Sequence, residues 1–134
     1  FKTSGGKYIA PQVIESQLKQ SILIEQIMVV GEGKNRASAL IQPCFENAKI
    51  WLDEQGVFCK DDPESLCKNE LLYDKINSEI RLHDYKFGKW EQVKEIRLTP
   101  EIWSIEAGHL TPTMKVKRKI VQEKYQSLVD EIYS

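Results

Sequence analysis

Two apolar segments joined by a glycine-containing turn constrain the fold of this chain more than any other feature. Ile22 to Val30 is rich in β-branched residues, which favour extended backbone. Gly31 to Arg36 has the composition of a hairpin turn, and Ala37 to Gln42 then returns as a second apolar segment. The two segments predict an antiparallel β-hairpin at the centre of a small sheet, with helices packed on it.

The remaining elements are predicted from helical spacing, capping residues and shorter apolar runs. They are, in chain order, a helix over 11–19, a helix over 46–55, a short helical turn at Pro63, a helix over 70–84 and a strand over 93–98. A last helix is predicted from apolar residues at helical spacing, namely Val116, Ile120, Val121, Tyr125, Leu128, Val129 and Ile132. The chain therefore reads as an α+β domain with a small antiparallel or mixed sheet, a central hairpin and three to five helices.

Length and composition limit the function classes that fit. The chain has 134 residues with 41% hydrophobic residues, which suits one domain over 1–134, and its net charge of -1 does not favour nucleic acid as a partner. Its three cysteines, Cys44, Cys59 and Cys67, fit no zinc-ligand spacing. We therefore expect reduced thiols, no metal site and a cytoplasmic protein. No apolar run is long enough to span a bilayer.

The segment Gly108–Lys119 combines a polar turn with a basic stretch. Pro112 lies between Thr111 and Thr113, and their hydroxyls are able to cap either the turn or the helix that follows. Lys115 comes directly after this turn and just before the apolar residues of the last helix, so it could be presented to something outside the domain. The alternative is that Lys115 belongs to a solvated basic face with Lys117, Arg118, Lys119 and Lys124.

The segment Lys2–Glu15 contains a glycine pair with two possible uses. Gly5 and Gly6 allow positive φ angles and the close approach of another chain. The simpler interpretation is an ordinary hairpin turn that leaves Lys7 in solvent. Because glycine pairs are common in turns, the residues alone favour the ordinary hairpin turn.

Together the two segments resemble motifs of the adenylate-forming enzymes. The run LTPTMKVKR, which ends at Arg118, is similar to the C-terminal lysine motif in the form found in long-chain fatty acyl-CoA synthetases. The run KTSGGKYIAPQVIE, over 2–15, resembles the glycine-containing loop that opens the C-terminal domain of the same family. The motifs occur in the family's order, and the resemblance covers essentially the whole chain. It implies that the chain is the small C-terminal lid of a much larger enzyme.

The resemblance also implies a chemistry and a set of site residues. The family activates a fatty acid with ATP to an acyl-adenylate and then passes the acyl group to coenzyme A. Lys115 matches the catalytic lysine, Gly5, Gly6 and Lys7 match the coenzyme A loop, and Thr113 is expected among the cofactor-binding residues. Magnesium, the hinge aspartate and the partner adenylation domain are expected in the larger enzyme, so this chain alone should be inactive.

Several questions stay open from the sequence. Thr113-Met114 stands where many family members have a Ser/Thr-Gly pair, which favours a long acyl substrate. The acceptor could instead be a carrier-protein thiol, and a basic binding module using residues 115–124 is a further alternative. A fatty acid substrate makes peripheral membrane association of the larger enzyme plausible.

Trp103 is expected in the core or in a docking patch, and His109 is expected to be structural.

Overall fold

The computed structural model describes residues 1–134, which form two compact units. The first unit covers Phe1–Glu101 and the second covers Ile102–Ser134.

The first unit is built on a mixed three-stranded sheet. Its strands are β1 (Ile24–Val30), β2 (Ala37–Pro43) and β3 (Val93–Leu98), in the order β1-β2-β3. Strands β1 and β2 pair antiparallel, as the hairpin pattern predicts, and β2 pairs parallel with β3. The predicted α+β class is confirmed, with the mixed sheet rather than the purely antiparallel one.

Four α-helices accompany this sheet. They are α1 (Pro11–Leu18), α2 (Phe45–Glu54), α3 (Pro63–Lys68) and α4 (Glu70–Asp84), followed by a short 3₁₀ helix over Lys89–Glu91. Capping explains where two of them begin. Asp62 accepts a hydrogen bond from Ser65 N–H at 2.9 Å, and Asn69 accepts one from Leu72 N–H at 3.0 Å. The bounds predicted for α4 and β3 are confirmed.

Two buried carboxylates tie helices to strands in the first unit. Glu15 on α1 accepts a hydrogen bond from Val29 N–H at 2.7 Å, which joins α1 to β1. Asp84, at the end of α4, accepts one from Val93 N–H at 3.0 Å and pairs with Arg81 at 3.2 Å. Each bond satisfies a backbone N–H that would otherwise be costly to bury. The start of β3 is therefore fixed to the end of α4.

The second unit ends in two short helices rather than one. These are α5 (Arg118–Lys124) and α6 (Gln126–Ile132), separated at Tyr125, whose φ of −110° and ψ of 26° leave the helical region. The prediction of one continuous helix is wrong at this residue, and the chain consequently has six α-helices. Ile120 was expected on the buried stripe but is 44% exposed. None of the helices combines the length and apolar composition needed to cross a bilayer.

Candidate functional site: two lysine hairpins

The Lys115 segment folds as a tight hairpin. Leu110 and Val116 form an antiparallel bridge at its base. Inside it, Thr111 N–H donates to the Lys115 carbonyl and Met114 N–H donates to the Thr111 carbonyl, both at 2.8 Å. The Thr111 hydroxyl accepts from Lys115 N–H at 3.1 Å, so Thr111 caps the turn and not the helix behind it.

Met114 adopts an unusual backbone conformation in this hairpin. Its φ is 67°, and no other non-glycine residue of the chain has a positive φ. An L-residue in the left-handed region costs about 1–2 kcal/mol, because its Cβ crowds the carbonyl oxygen. The resemblance to the family motif leads one to expect glycine here, and Met114 takes the glycine conformation without being one. The conformation is needed to bring the chain back to Lys115.

The side chain of Lys115 is presented to solvent. It is exposed and forms none of the salt bridges of the chain. Thr113, also exposed, places its hydroxyl 3.1 Å from that of Thr111. The structure therefore brings two predicted site residues, Thr113 and Lys115, together on one exposed loop. An unpaired ammonium at a hairpin end is free to meet an anion from outside the chain.

A buried aromatic stack supports the base of this hairpin. The His109 carbonyl accepts from Lys117 N–H at 2.8 Å. The His109 ring lies 5.9 Å from the Trp103 ring and 6.2 Å from the Tyr125 ring, with interplanar angles of 4° and 19°. Trp103 is only 3% exposed, so its interpretation as a core residue is confirmed. The stack gives the second unit a rigid centre.

The hydrogen bonds of His109 indicate the tautomer of its ring. Its Nδ1 accepts from Ser104 N–H at 3.2 Å, and its Nε2 lies 3.3 Å from the Tyr125 hydroxyl. Because Nδ1 accepts, the proton of the neutral ring is on Nε2, which donates to Tyr125. The expectation that His109 is structural is confirmed.

The Gly5–Gly6 segment folds as a hairpin with the same internal bonds. Thr3 N–H donates to the Lys7 carbonyl at 2.9 Å, and Gly6 N–H donates to the Thr3 carbonyl at 3.0 Å. The Thr3 hydroxyl accepts from Lys7 N–H at 3.2 Å. Gly6 has a φ of 79°, and Lys2 and Tyr8 form the antiparallel bridge at the base. The predicted turn is confirmed, with Gly5, Gly6 and Lys7 together in it.

Residues 3–7 and 111–115 therefore form equivalent loops. Each begins with a threonine whose hydroxyl accepts from the lysine N–H, has a left-handed fourth residue, and ends in an exposed lysine. This equivalence is not evident from the family motifs, which differ between the two loops. The detectable signal is the threonine four residues before each lysine.

The two glycines of the first hairpin have different structural needs. Gly6 is required by its positive φ, although a Cβ there would meet nothing within 4 Å. Gly5 has no positive φ, and a Cβ there would only touch the Thr3 hydroxyl at 3.9 Å. The first unit therefore tolerates a side chain at Gly5. The small size of Gly5 is explained by nothing inside the unit.

Two other segments hold the first hairpin in place. On one side, Ser4 N–H donates to the Lys34 carbonyl at 2.8 Å. On the other side, the indole Nε1–H of Trp90 donates to the Tyr8 carbonyl at 3.2 Å, and the Lys7 ammonium lies 5.1 Å from the centre of the Trp90 ring. Trp90 lies in the 3₁₀ helix over Lys89–Glu91. No local signal links it to a segment 82 residues away.

Neither hairpin contains an acid, a histidine or a cysteine. No group of three or more His, Cys, Asp or Glu side chains is placed to hold a metal ion. The three cysteines are free thiols. Burial raises the pKa of Cys67 to about 12, which keeps it protonated near neutral pH. The groups that the two hairpins offer to a ligand are the exposed ammonium groups of Lys7 and Lys115.

Relatives of this chain are found by sequence and by structure. Long-chain-fatty-acid–CoA ligases of Mycobacterium tuberculosis and of Homo sapiens (ligase 1) are 34% and 36% identical to it over 132 and 137 residues. These alignments cover 98% and 100% of this chain but 22% and 19% of the relatives. The chain thus spans about a fifth of the length of the curated relatives it matches.

The fold is also similar to solved structures. One is the A-PCP didomain of carboxylic acid reductase from Segniliparus rugosus in complex with AMP, with a TM-score of 0.78. The match covers 99% of this chain and 17% of that chain, at 20% identity, and so bears on the fold alone. A family model described as the AMP-binding enzyme C-terminal domain matches residues 2–134. Because that model spans almost every residue, the resemblance drawn from the two motifs is confirmed and the chain belongs to the AMP-binding enzyme C-terminal domain family.

Proposed function

We propose that this chain is the mobile C-terminal domain of an ATP-dependent long-chain fatty acid–CoA ligase. Lys115 serves the adenylation step, and the Gly5–Gly6 hairpin serves thioester formation. The observation that carries the proposal is the pair of equivalent hairpins, each of which presents an exposed lysine without a carboxylate partner. The identity to long-chain-fatty-acid–CoA ligases supports the choice of reaction.

In adenylation, the role of Lys115 follows from charge. A carboxylate oxygen of the fatty acid attacks the α-phosphorus of ATP, and pyrophosphate leaves. Both reactants are anions, so an ammonium near the α-phosphate lowers their repulsion and stabilises the charge on the transferring group. Lysine suits this role because its charge is compact and its stem is long. The Thr113 hydroxyl, two residues earlier on the same loop, is available to hydrogen-bond the nucleotide.

In the thioester step, the first hairpin meets coenzyme A. The thiol gives its proton to solvent and its sulfur attacks the acyl carbonyl carbon; the bond from that carbon to the bridging oxygen then breaks, and AMP leaves with the oxygen. Gly6 lines the path of the pantetheine arm, where any side chain would narrow the passage, and Gly5 exposes further backbone to that arm. The Lys7 ammonium faces the anionic part of coenzyme A. Rotation of the domain exchanges one hairpin for the other between the steps.

The partners follow from this scheme. An adenylation domain holds ATP, magnesium and the fatty acid, and this chain supplies the lysine and the coenzyme A loop. The chain by itself is inactive, because the acyl and adenine pockets belong to the partner domain. We place the enzyme in the cytoplasm, with peripheral membrane contact through its fatty acid substrate.

The adenylation role is tested in the full-length enzyme with Lys115→Ala. Fatty-acid-dependent exchange of pyrophosphate into ATP should fall by about 10²–10³. Thioester formation from pre-made palmitoyl-adenylate and coenzyme A should stay within about twofold of wild type. Lys117→Ala is the matched control, because it removes a neighbouring charge and should leave both rates unchanged. Exchange equal to wild type in Lys115→Ala would reject the proposed role.

A further inference from the structure

Trp90 contacts the first hairpin from a different part of the first unit. Its indole Nε1–H donates to the Tyr8 carbonyl at 3.2 Å, and its ring centre lies 5.1 Å from the Lys7 ammonium. One side chain thus holds both the backbone after the glycine pair and the charge at the end of the loop. Cations at this distance from an indole face are attracted by the ring quadrupole.

The position of Trp90 is not explained by core packing. Trp90 remains 44% exposed and is not among the residues that form the core of the first unit, which come mainly from the sheet and from α1, α2, α3 and α4. Gly88 leaves the room that the ring occupies. A Cβ at Gly88 would lie 2.6–2.9 Å from three atoms of the indole, so any other residue there would displace the ring.

The turn that carries Trp90 is itself fixed. Gly88 N–H donates to the Glu91 carboxylate at 3.1 Å, and Glu91 N–H donates to the Gly88 carbonyl at 2.8 Å. The next strand begins at Val93, whose N–H is bound by the buried Asp84. Trp90 therefore extends from a closed turn anchored to the sheet, and it is able to impose a position on the hairpin.

The ring holds Lys7 without neutralising it. Two lysines of the first unit pair with acids, Lys49 with Asp53 at 3.0 Å and Lys75 with Glu79 at 3.7 Å. Lys7 forms no such pair. A carboxylate would cancel the charge that an anionic ligand needs, whereas an aromatic face restrains the ammonium and leaves its outer side open.

We propose that Trp90 is a positioning residue for thioester formation, which fixes the Gly5–Gly6 hairpin and aims the Lys7 ammonium at the phosphates of coenzyme A. The inference rests on the proposed function, in which this hairpin meets coenzyme A. Trp90 acts through the Tyr8 carbonyl and Lys7 and contacts no reacting atom.

The test is made in the full-length enzyme with Trp90→Leu, Trp90→Phe and Gly88→Ala. With pre-made palmitoyl-adenylate, Trp90→Leu should lower kcat/KM for coenzyme A by roughly ten- to a hundredfold, mostly through KM. Trp90→Phe keeps a ring under Lys7 but loses the N–H, so it should recover part of that loss. Gly88→Ala, which pushes the ring away, should behave like Trp90→Leu. Pyrophosphate exchange should be unchanged in all three.

A matched control and a reference variant make the outcome decisive. Trp51→Phe alters another tryptophan whose ring lies near a lysine ammonium, at 5.7 Å from Lys75, and should change neither half-reaction. Gly5→Ala reports on the proposed function itself. If Gly5→Ala slows thioester formation while the three variants match wild type, the positioning role is rejected and the proposed function stands. Equal losses in both half-reactions would also reject it, since they indicate a general structural role.

Discussion

The two hairpins have the same internal hydrogen bonds but are held in place by different kinds of contact. The first, over 3–7, is held by a half-exposed indole and by the turn between β1 and β2. The second, over 111–115, is built on a buried stack of three aromatic rings. The backbone pattern sets how each lysine is presented. The support sets how firmly the loop is held, and an exposed indole is a weaker anchor than a packed core.

The residues of the two loops also differ, in how much backbone they expose and in how stiff they make the loop. The first hairpin has Ser4 and Gly5 at its tip and glycine at the left-handed position, so it offers backbone to an approaching ligand. The second has Pro112 and Thr113 at its tip and Met114 at the left-handed position. Proline restricts φ and suits the second residue of a turn. One hairpin is therefore open and the other is filled and stiff.

The largest predicted effect on stability comes from the support of the second hairpin. His109→Leu removes the acceptor for Ser104 N–H and the donor to Tyr125, and it should lower the free energy of unfolding by about 3 kcal/mol. Urea denaturation of the 134-residue chain measures the change. His83→Leu is the control, because that half-buried ring lies at the end of α4, and its loss should be below about 1 kcal/mol. Equal losses of unfolding free energy in the two variants would show that the aromatic stack does not stabilise the fold more than the half-buried His83 does.

Two smaller changes in the free energy of unfolding, of opposite sign, are predicted for two residues with positive φ, Met114 and Gly6. Met114→Asn should raise the free energy of unfolding by about 1 kcal/mol, because asparagine tolerates positive φ better than methionine. Gly6→Ala should lower it by about 1 kcal/mol, because alanine has a Cβ at a position with a φ of 79°. The same denaturation experiment measures both. Changes of the same sign would break the equivalence of the two hairpins.

The smallest effects test the threonine hydroxyls. Thr3→Val and Thr111→Val each remove the acceptor for a lysine backbone N–H, and each should cost about 1 kcal/mol or less. The loss at Thr3 should be the larger, because Thr3 is 8% exposed and Thr111 is only half-buried. Amide hydrogen exchange at Lys7 and Lys115 reads the two sites separately. If neither amide exchanges faster in its variant, the shared capping bond does not stabilise the loops.

Much of the first unit could be predicted because its signals are local. The hairpin of β1 and β2 follows from two apolar runs around a glycine turn, and α4 follows from Asn69 and the stripe Leu72, Ile76 and Ile80. The parallel pairing of β3 with β2 was not predicted, because it joins segments separated by three helices. Local pattern carries no information about which distant strand a segment will choose.

The parts of the candidate site that escaped prediction depend on tertiary contacts. The break at Tyr125 interrupts a spacing that reads as one helix, and its ring stacks on His109. The bond from Trp90 to Tyr8 joins residues 82 positions apart. By contrast, Lys115, Gly5 and Gly6 could be singled out from the sequence, because each lies in a short motif that is recognised without knowledge of the rest of the fold.

The most direct test of the two-hairpin account compares Lys115→Ala and Gly5→Ala in both half-reactions of the full-length enzyme. Gly5→Ala is a clean probe, because a Cβ there would touch only the Thr3 hydroxyl, at 3.9 Å. The account predicts that Lys115→Ala loses pyrophosphate exchange and keeps thioester formation, and that Gly5→Ala shows the reverse. If both variants slow the same half-reaction, the two hairpins do not divide the chemistry and the account is wrong.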